Sequence, residues 1–533
     1  MKNKTLKYVI LIIVSALITM LPMFLNEYTS GHDTKFHVAN IESLEEQIRS
    51  GNSIKILGNM ASNFGYGTGL FYPPLPHISA ALINFLTNNT LASIKIVYFI
   101  GLVISGITMF FLSKKLSNSD EIGLLSAIIY MVFPYHISNI YIRDAQNESL
   151  LFAFLPIIIN GLYELFKNNN RKKFYILFIS GYVFSMLTHL TMMVYFSVIV
   201  IIFMIFKYKQ TFKNIKSLII ASIFILGITS FFWMPLLEQK LFGDYRVFQD
   251  GVMVQGTWGN GLNPFTYINL FVNWKDEKVK YFIDAITLIL FVIALINFKK
   301  VENKFYKYIL TFGIISFIIS TVLFPWDIFP KAFRIMQFPW RFVSFVSISI
   351  SLIAPLAISS FQDKKIISII LCVSIILLSQ PLLHSFSNEK IDLSNEYYKE
   401  GEGFQREYLP VKLYDNIEYY ENRENIIINV TNKYATVNII KNEVPKLEFS
   451  IQTEGNVILE LPRIYYTGYT LKDSNNKEYK LYENNNGFIE VEIPSGKYML
   501  NYTGTKIDKV CNIISIIGMF GYIVLCIKKY KHL

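Results

Sequence analysis

Long apolar runs free of charge constrain this chain more than any other feature. A helix crosses the hydrocarbon of a bilayer with about 20 consecutive apolar residues. Twelve runs approach that length: Tyr8 to Leu25, Ala92 to Leu112, Ile122 to Ile140, Leu150 to Phe166, Phe174 to Leu187 and Thr191 to Phe206, followed by Leu218 to Leu237, Phe282 to Phe298, Tyr308 to Leu323, Phe342 to Ser359, Ile366 to Leu383 and Val510 to Ile527. The fifth and sixth make one stretch too long for a single crossing, and Thr188 and His189 break it into two short helices. Hydrophobic residues are 52% of the 533 and charged residues only 17%, a balance that suits membrane helices better than several soluble domains. The expected fold class is a polytopic α-helical membrane protein of about twelve transmembrane helices.

Lysine and arginine in short loops orient such a chain, because they stay on the cytoplasmic side. Seven successive basic clusters fall at alternate ends of the runs: Lys2, Lys4 and Lys7; Lys114 and Lys115; Lys167 with Arg171, Lys172 and Lys173; Lys207, Lys209, Lys213 and Lys216; Lys299, Lys300, Lys304 and Lys307; Lys364 and Lys365; and Lys528, Lys529 and Lys531. The opposite short loops hold only Arg143 and a group around Arg334. The expectation is a multi-pass protein of the cell membrane with both termini cytoplasmic and the first run kept as an uncleaved anchor. Topology thus accounts for much of the formal net charge of +11, with no call for a nucleic-acid partner. Cys372, Cys511 and Cys526 lie in or beside the apolar runs, which excludes a disulfide framework for the polar segments and any zinc-type spacing.

Three segments are long and expected outside: Asn26 to Leu91, Glu238 to Tyr281 and His384 to Lys509. In the last, Asn425 to Ile440, Lys446 to Leu461 and Phe488 to Tyr502 alternate or cluster β-branched residues between turns rich in Asn and Gly, the pattern of a small β-sandwich. The domains are therefore a transmembrane unit, 1–384, with an external loop at 26–91; a β-rich unit, 385–509; and a closing helix with a cytoplasmic tail, 510–533.

Chemistry-bearing residues gather at the expected outer face. A helix from Thr34 to Arg49 has Phe36, Ile41, Leu44 and Ile48 on one face and Glu42, Glu45, Glu46 and Arg49 on the other. Asp33 and His37, four apart, project on the apolar side where the turn extends back to Asp33. Either Asp33 caps the helix and His37 is satisfied in a packed interface, or both are used. His32, His37, His77, His136, His189 and His384 all map to the outer side, as in a polar, titratable cleft. Asn63 to His77, which includes Tyr72, is dense in Gly, Pro and aromatic residues, suiting an interfacial belt or a surface for sugars. Arg143 and Glu148 stand where the fourth run begins, so Glu148 either complements the helix dipole or faces the cleft. Arg334 and Arg341 flank Gln337-Phe338-Pro339-Trp340, as phosphate ligands or as interfacial anchors.

At these residues the chain resembles bacterial membrane proteins labelled 6-pyruvoyl-tetrahydropterin synthase-related, akin to the YfhO-like proteins and similar to GT-C glycosyltransferases. The likeness rests on Gly31-His32-Asp33 with Phe36-His37, on Tyr72 to His77, on Arg143 with Glu148, on Gln337 to Arg341 and on Tyr465-Tyr466-Thr467-Gly468. The resemblance implies a GT-C-like membrane domain that moves a sugar from a polyprenyl-phosphate donor to an envelope glycopolymer or glycolipid on the outer face. It implies Asp33 as catalytic carboxylate, Glu148 as a second acidic residue, and Arg341 or Arg334 toward the donor phosphate, with His37 as a polar helper. Tyr72, His77 and Arg143 complete the implied substrate contacts. Family members often carry a second acidic residue beside the first-loop Asp. Here it is His32, which removes one carboxylate from any divalent-cation site in that loop. The competing readings are a lipid-linked sugar flippase or transporter, disfavoured by the lack of an internal repeat, and a non-catalytic envelope scaffold.

Overall fold

The computed structural model describes residues 2–25, 31–249, 261–268, 281–328, 338–383, 406–431 and 433–527. Each of the twelve apolar runs is occupied by helix. Among the described residues, six helices are long and apolar enough to cross a membrane, or seven if a bent pair counts as one. The bent pair is Asp120–Met131 with Pro134–Tyr141, turned by 43°. Pro134 opens the second helix, where its missing N–H costs nothing. Leu190–Phe206, Ala285–Ile296 and Phe305–Ser320 are apolar but shorter. The expected twelve crossings are therefore helical throughout, but among the described residues only six or seven meet the length of a crossing.

Local chemistry sets several boundaries. Asn89, Ser119 and Asp284 each accept a backbone N–H from the first turn of the helix they precede, satisfying donors that a helix start leaves open. The break at His189 is where the sequence places it: Ser180–Thr188 ends there, and its extended backbone begins Leu190–Phe206.

Packing follows the stripes. In Lys2–Leu25 the residues Tyr8, Ile12, Ala16 and Met20 recur every four positions and are buried, while Ile10, Val14, Leu17 and Leu21 are exposed. Tyr8 stacks on Phe110 of Thr90–Ser117 at 5.9 Å. At Gly106 an added Cβ would meet Met131 and Ile12, so three helices close on a position with no side chain. Lys506–Ile527 shows most of its apolar surface, Ile513, Ile517 and Phe520 included.

The C-terminal part forms two antiparallel sheets. Strands β1 (Ile428–Asn429), β2 (Ala435–Glu443), β3 (Lys446–Thr453), β4 (Val457–Ile464), β5 (Tyr469–Asp473), β6 (Glu478–Tyr479), β7 (Leu481–Glu483), β8 (Phe488–Ile493) and β9 (Gly496–Tyr502) pair in the orders β1-β4-β8-β7 and β2-β3-β9-β5-β6. The stretch Lys446 to Leu461, expected as one run, is two strands turned at Gly455, whose φ is +87°. Strands β5 to β7 were not expected; they are only five, two and three residues long, with Asn475, Asn476, Lys477 and Lys480 in the connections between them.

The described parts of the three long segments pack together. Tyr245 bridges Pro410 in antiparallel fashion, and Arg246 N–H donates to the Leu409 carbonyl at 3.0 Å. The Ile464 N–H donates to the Phe64 carbonyl at 3.1 Å, and Gln239 Nε2 to the Thr467 carbonyl at 2.7 Å. Phe64, Tyr66 and Phe71, candidates for an interfacial belt, are instead buried in this body. Phe71 stacks on Tyr408 at 5.5 Å, and Tyr245 on Tyr466 at 5.6 Å. Gly67 admits the Tyr466 ring, which an added Cβ would strike at 2.6 Å.

Candidate active site

Asp33 is placed by backbone pairing across a long sequence gap. His32 N–H donates to the Ile142 carbonyl at 3.2 Å, and Asp33 N–H to the Arg143 carbonyl at 2.9 Å. Gly31 makes this approach feasible, since a Cβ there would lie 2.7 Å from the Asp144 Cβ. Asp144 takes a left-handed conformation, φ +55°, and Tyr98 donates its hydroxyl to Asp144 Oδ1 at 2.5 Å.

Asp33 precedes helix Thr34–Arg49 at the capping position, yet its carboxylate makes no capping hydrogen bond. The carboxyl lies deep among protein atoms with a partial opening to solvent. Burial pushes it up to about 6; Arg143 opposes the rise, while Asp144 and Glu148 add to it. It is the group here best suited to exchange a proton near neutral pH.

Glu148, in the first turn of Gln146–Phe166, organises the neighbouring charge. Arg143 grips it with both ends, Nη1 to Oε2 at 2.7 Å and Nη2 to Oε1 at 2.9 Å. Arg341 Nε donates to Oε1 at 2.8 Å, and the Tyr135 hydroxyl to Oε2 at 2.6 Å. Both oxygens thus accept two hydrogen bonds, leaving little lone-pair capacity for a substrate proton. A contact circuit closes around this carboxylate: Tyr135 stacks on Tyr281 at 5.8 Å, Tyr281 meets Trp340 at 5.8 Å, and Trp340 adjoins Arg341. His189 feels both Arg341 and Glu148.

His37 and His77 form a buried imidazole pair, Nδ1 to Nε2 at 2.7 Å, and Tyr72 stacks on His77 at 5.0 Å. Burial pushes His37 down to about 3 and His77 well below its ordinary value. Both are therefore neutral at physiological pH and share one proton between the facing nitrogens. Burial raises the Tyr72 phenol, as does the Asp33 charge, so Tyr72 stays a hydroxyl within electrostatic reach of Asp33, Arg341 and Glu148. A cavity of about 40 Å³ lies beside it, lined by Asn40, Thr68, Tyr72 and His77 among others.

The structure thus gathers Asp33, Arg143, Glu148, Arg341 and Tyr72 in one electrostatic neighbourhood, with the His37–His77 pair packed on Tyr72. Arg334 lies outside the described residues. Tyr135, Asp144, Tyr281 and Tyr408 also belong here and were not singled out from sequence; Tyr408 feels both Tyr72 and Asp33. The one sequence signal for Tyr135 was its place in Phe133-Pro134-Tyr135-His136, at the helix bend. Among the described residues, no group of three or more His, Cys, Asp or Glu is arranged to hold a metal ion.

A family model described as the 6-pyruvoyl-tetrahydropterin synthase related domain, a membrane protein, matches residues 70–388, more than half of the chain. The chain belongs to this family. The family match takes in Tyr72, His77, Arg143, Glu148 and Arg341 and begins after Asp33 and His37. An uncharacterised protein of Lactococcus lactis subsp. cremoris (strain MG1363) is 26% identical over 337 residues, covering 60% of this chain and 54% of its own. The chain thus spans about half the length of that relative. A solved structure of ArnT from Cupriavidus metallidurans, bound to undecaprenyl phosphate, aligns with a TM-score of 0.48 at 12% identity, covering 74% of this chain and 68% of that one.

Proposed function

We propose that this family member is a membrane glycosyltransferase that moves a sugar from a polyprenyl-phosphate donor to an envelope glycopolymer or glycolipid. The observation that carries the reading is an uncapped Asp33, with its pKa raised to about 6, beside two guanidiniums anchored on one saturated carboxylate. In the proposed step an acceptor hydroxyl attacks the anomeric carbon as the bond from that carbon to the phosphate oxygen breaks. Asp33 takes the hydroxyl proton, a contribution of about 10²- to 10⁴-fold. The phosphate departs with the bonding electrons, and Arg341 and Arg143 stabilise its charge. The transition state has oxocarbenium character, as in glycoside hydrolysis. Glu148 acts by orienting the two arginines.

In this reading the first loop, the 238–281 segment and the β-sheets share the outer face, with both termini cytoplasmic. The mutual packing of those three segments supports one common side. Purified protein incubated with a polyprenyl-phosphate sugar, with Asp33→Asn in parallel, tests the reading through loss of sugar from the lipid.

A further inference from the structure

A groove of about 650 Å³, its open side included, lies between helices Leu190–Phe206 and Phe305–Ser320, with Gln146–Phe166 and Val343–Ile353 also contributing to its wall. Apart from Thr311 and the Tyr308 hydroxyl, its lining is aliphatic or aromatic. Phe196 and Phe206 mark its extent on the first helix, a separation of about 15 Å at the usual helical rise. That is half of the roughly 30 Å hydrocarbon of a bilayer, the depth of one leaflet.

The two ends of the groove differ. At one end the rings of Phe196, Phe312 and Phe345 close on one another, with centroids 6.0, 5.3 and 5.8 Å apart. At the other end Phe203 meets Phe305 at 6.1 Å and Tyr308 at 5.4 Å. There the Lys207 ammonium lies 4.5 Å from the centre of the Tyr308 ring, and Lys304 and Lys307 stand exposed beside Phe305 and Tyr308 in the chain. The helix that Lys304 precedes has no acidic residue in its first turn, so its positive dipole end adds to the lysines. Among the described residues, no ion pair joins Lys207, Lys304 or Lys307 to a carboxylate. Membrane topology accounts for lysines in these loops. It does not account for an ammonium laid over a ring that lines an apolar groove.

We infer that this groove holds one acyl chain of an anionic diacyl phospholipid, with its phosphate on Lys207, Lys304 and Lys307. A basic mouth on an apolar slot one leaflet deep has the charge and length of that molecule. The groove is separate from the proposed donor site, because Phe345 and its ring partners come between Arg341 and the groove-lining Ile348. The inference is independent of the glycosyltransferase reading.

The test titrates the purified full chain in detergent with phosphatidylglycerol or phosphatidylcholine of equal chain length, and counts bound lipid by native mass spectrometry. The wild type should bind one phosphatidylglycerol ~10-fold or more tighter than phosphatidylcholine. Replacing the three lysines together, Lys207→Gln, Lys304→Gln and Lys307→Gln, should bring that ratio to about 1 and leave phosphatidylcholine binding as it was. Thr311→Trp fills the groove from an exposed position and should weaken both lipids while leaving undecaprenyl phosphate binding unchanged. Elution as for the wild type shows that the variants fold. A wild-type ratio of about 1, or a ratio kept in the triple variant, would overturn the inference by removing the headgroup site. Phosphatidylglycerol bound equally by Thr311→Trp would overturn it by placing the lipid on the loops and not in the groove. Loss of undecaprenyl phosphate together with phosphatidylglycerol in Thr311→Trp would overturn it by giving the groove to a polyprenyl chain.

Discussion

Replacing Glu148 by Gln preserves volume and removes one charge, so it isolates the electrostatic role of this carboxylate. Its oxygens accept from Arg143 at 2.7 and 2.9 Å, from Arg341 at 2.8 Å and from Tyr135 at 2.6 Å. The Arg143 and Arg341 side chains are only 8% and 14% exposed. A Gln amide presents one oxygen and one NH₂, so two of the four donors lose their acceptor and the new N–H groups confront guanidinium N–H groups. Removing one partner of a buried ion pair costs about 3–5 kcal/mol, because the remaining charge stays buried without compensation. The Coulombic attraction lost involves two cations, which places the expectation toward the upper end of that range. The measurement is unfolding free energy in mild detergent for wild type, Glu148→Gln, Arg341→Met and the double variant. Glu148→Gln should lose at least ~3 kcal/mol, and the double variant should lose less than the sum, since the residues share a contact. A Glu148→Gln protein within about 1 kcal/mol of wild type, with additive losses, would show that the carboxylate is exchangeable and that no charged network organises the site.

Asp33→Asn should stabilise the protein at neutral pH. The folded carboxyl sits near 6, above its ordinary 3.8, so the folded state binds the proton more tightly than the unfolded state does. Wild-type stability is therefore full below about pH 3.8 and falls as pH rises through about 6. At ~1.4 kcal/mol per pKa unit the penalty at pH 7.5 reaches up to ~3 kcal/mol. The advantage of the variant in melts from pH 4.5 to 7.5 should grow along that range, and an advantage independent of pH would remove the titration from Asp33. Arg341→Lys keeps charge but loses the planar fork, so donor affinity should fall partially, and Arg341→Ala further, by about 2 kcal/mol if the contact is desolvated. Titrations of donor and acceptor check this, and an unchanged donor dependence in both would leave Arg341 as a structural partner of Glu148. A tag at Asn169 should be shielded from impermeant reagents in intact cells, and one at Asn475 should be labelled. Labelling of both would break the proposed topology.

Helices were legible because their apolar runs are long, and the break at His189 because no single span could hold that stretch. The apolar-side placement of His37 followed from its spacing on Thr34–Arg49, whose buried face includes His37, Ile41 and Leu44, whereas Asp33 stands just before that helix at the capping position. The pairing of residues 31–33 with 142–144 was not legible, because it is a backbone contact across a long sequence gap and leaves no side-chain periodicity. Arg341 joins Glu148 across 193 positions, and the His37–His77 bond joins two helices across 40 positions. Neither separation has a period to read. Phe71 and Tyr66 were misplaced toward the membrane interface because aromatic content alone does not distinguish a lipid-facing ring from one buried against other rings, here Tyr245, Tyr408 and Tyr466.

The proposed chemistry is tested most directly by the pH dependence of donor consumption, followed as sugar released from undecaprenyl-phosphate sugar by purified wild type and Asp33→Asn at saturating donor. The wild-type rate should rise with pH through about 6, as the Asp33 carboxyl loses its proton and becomes able to accept one from the acceptor hydroxyl. Asp33→Asn should be inactive across the range while still binding the lipid. An Asp33→Asn rate equal to wild type, with the same pH profile, would contradict the account, as would a wild-type protein that moves the intact lipid-linked sugar across a bilayer without breaking its bond to phosphate.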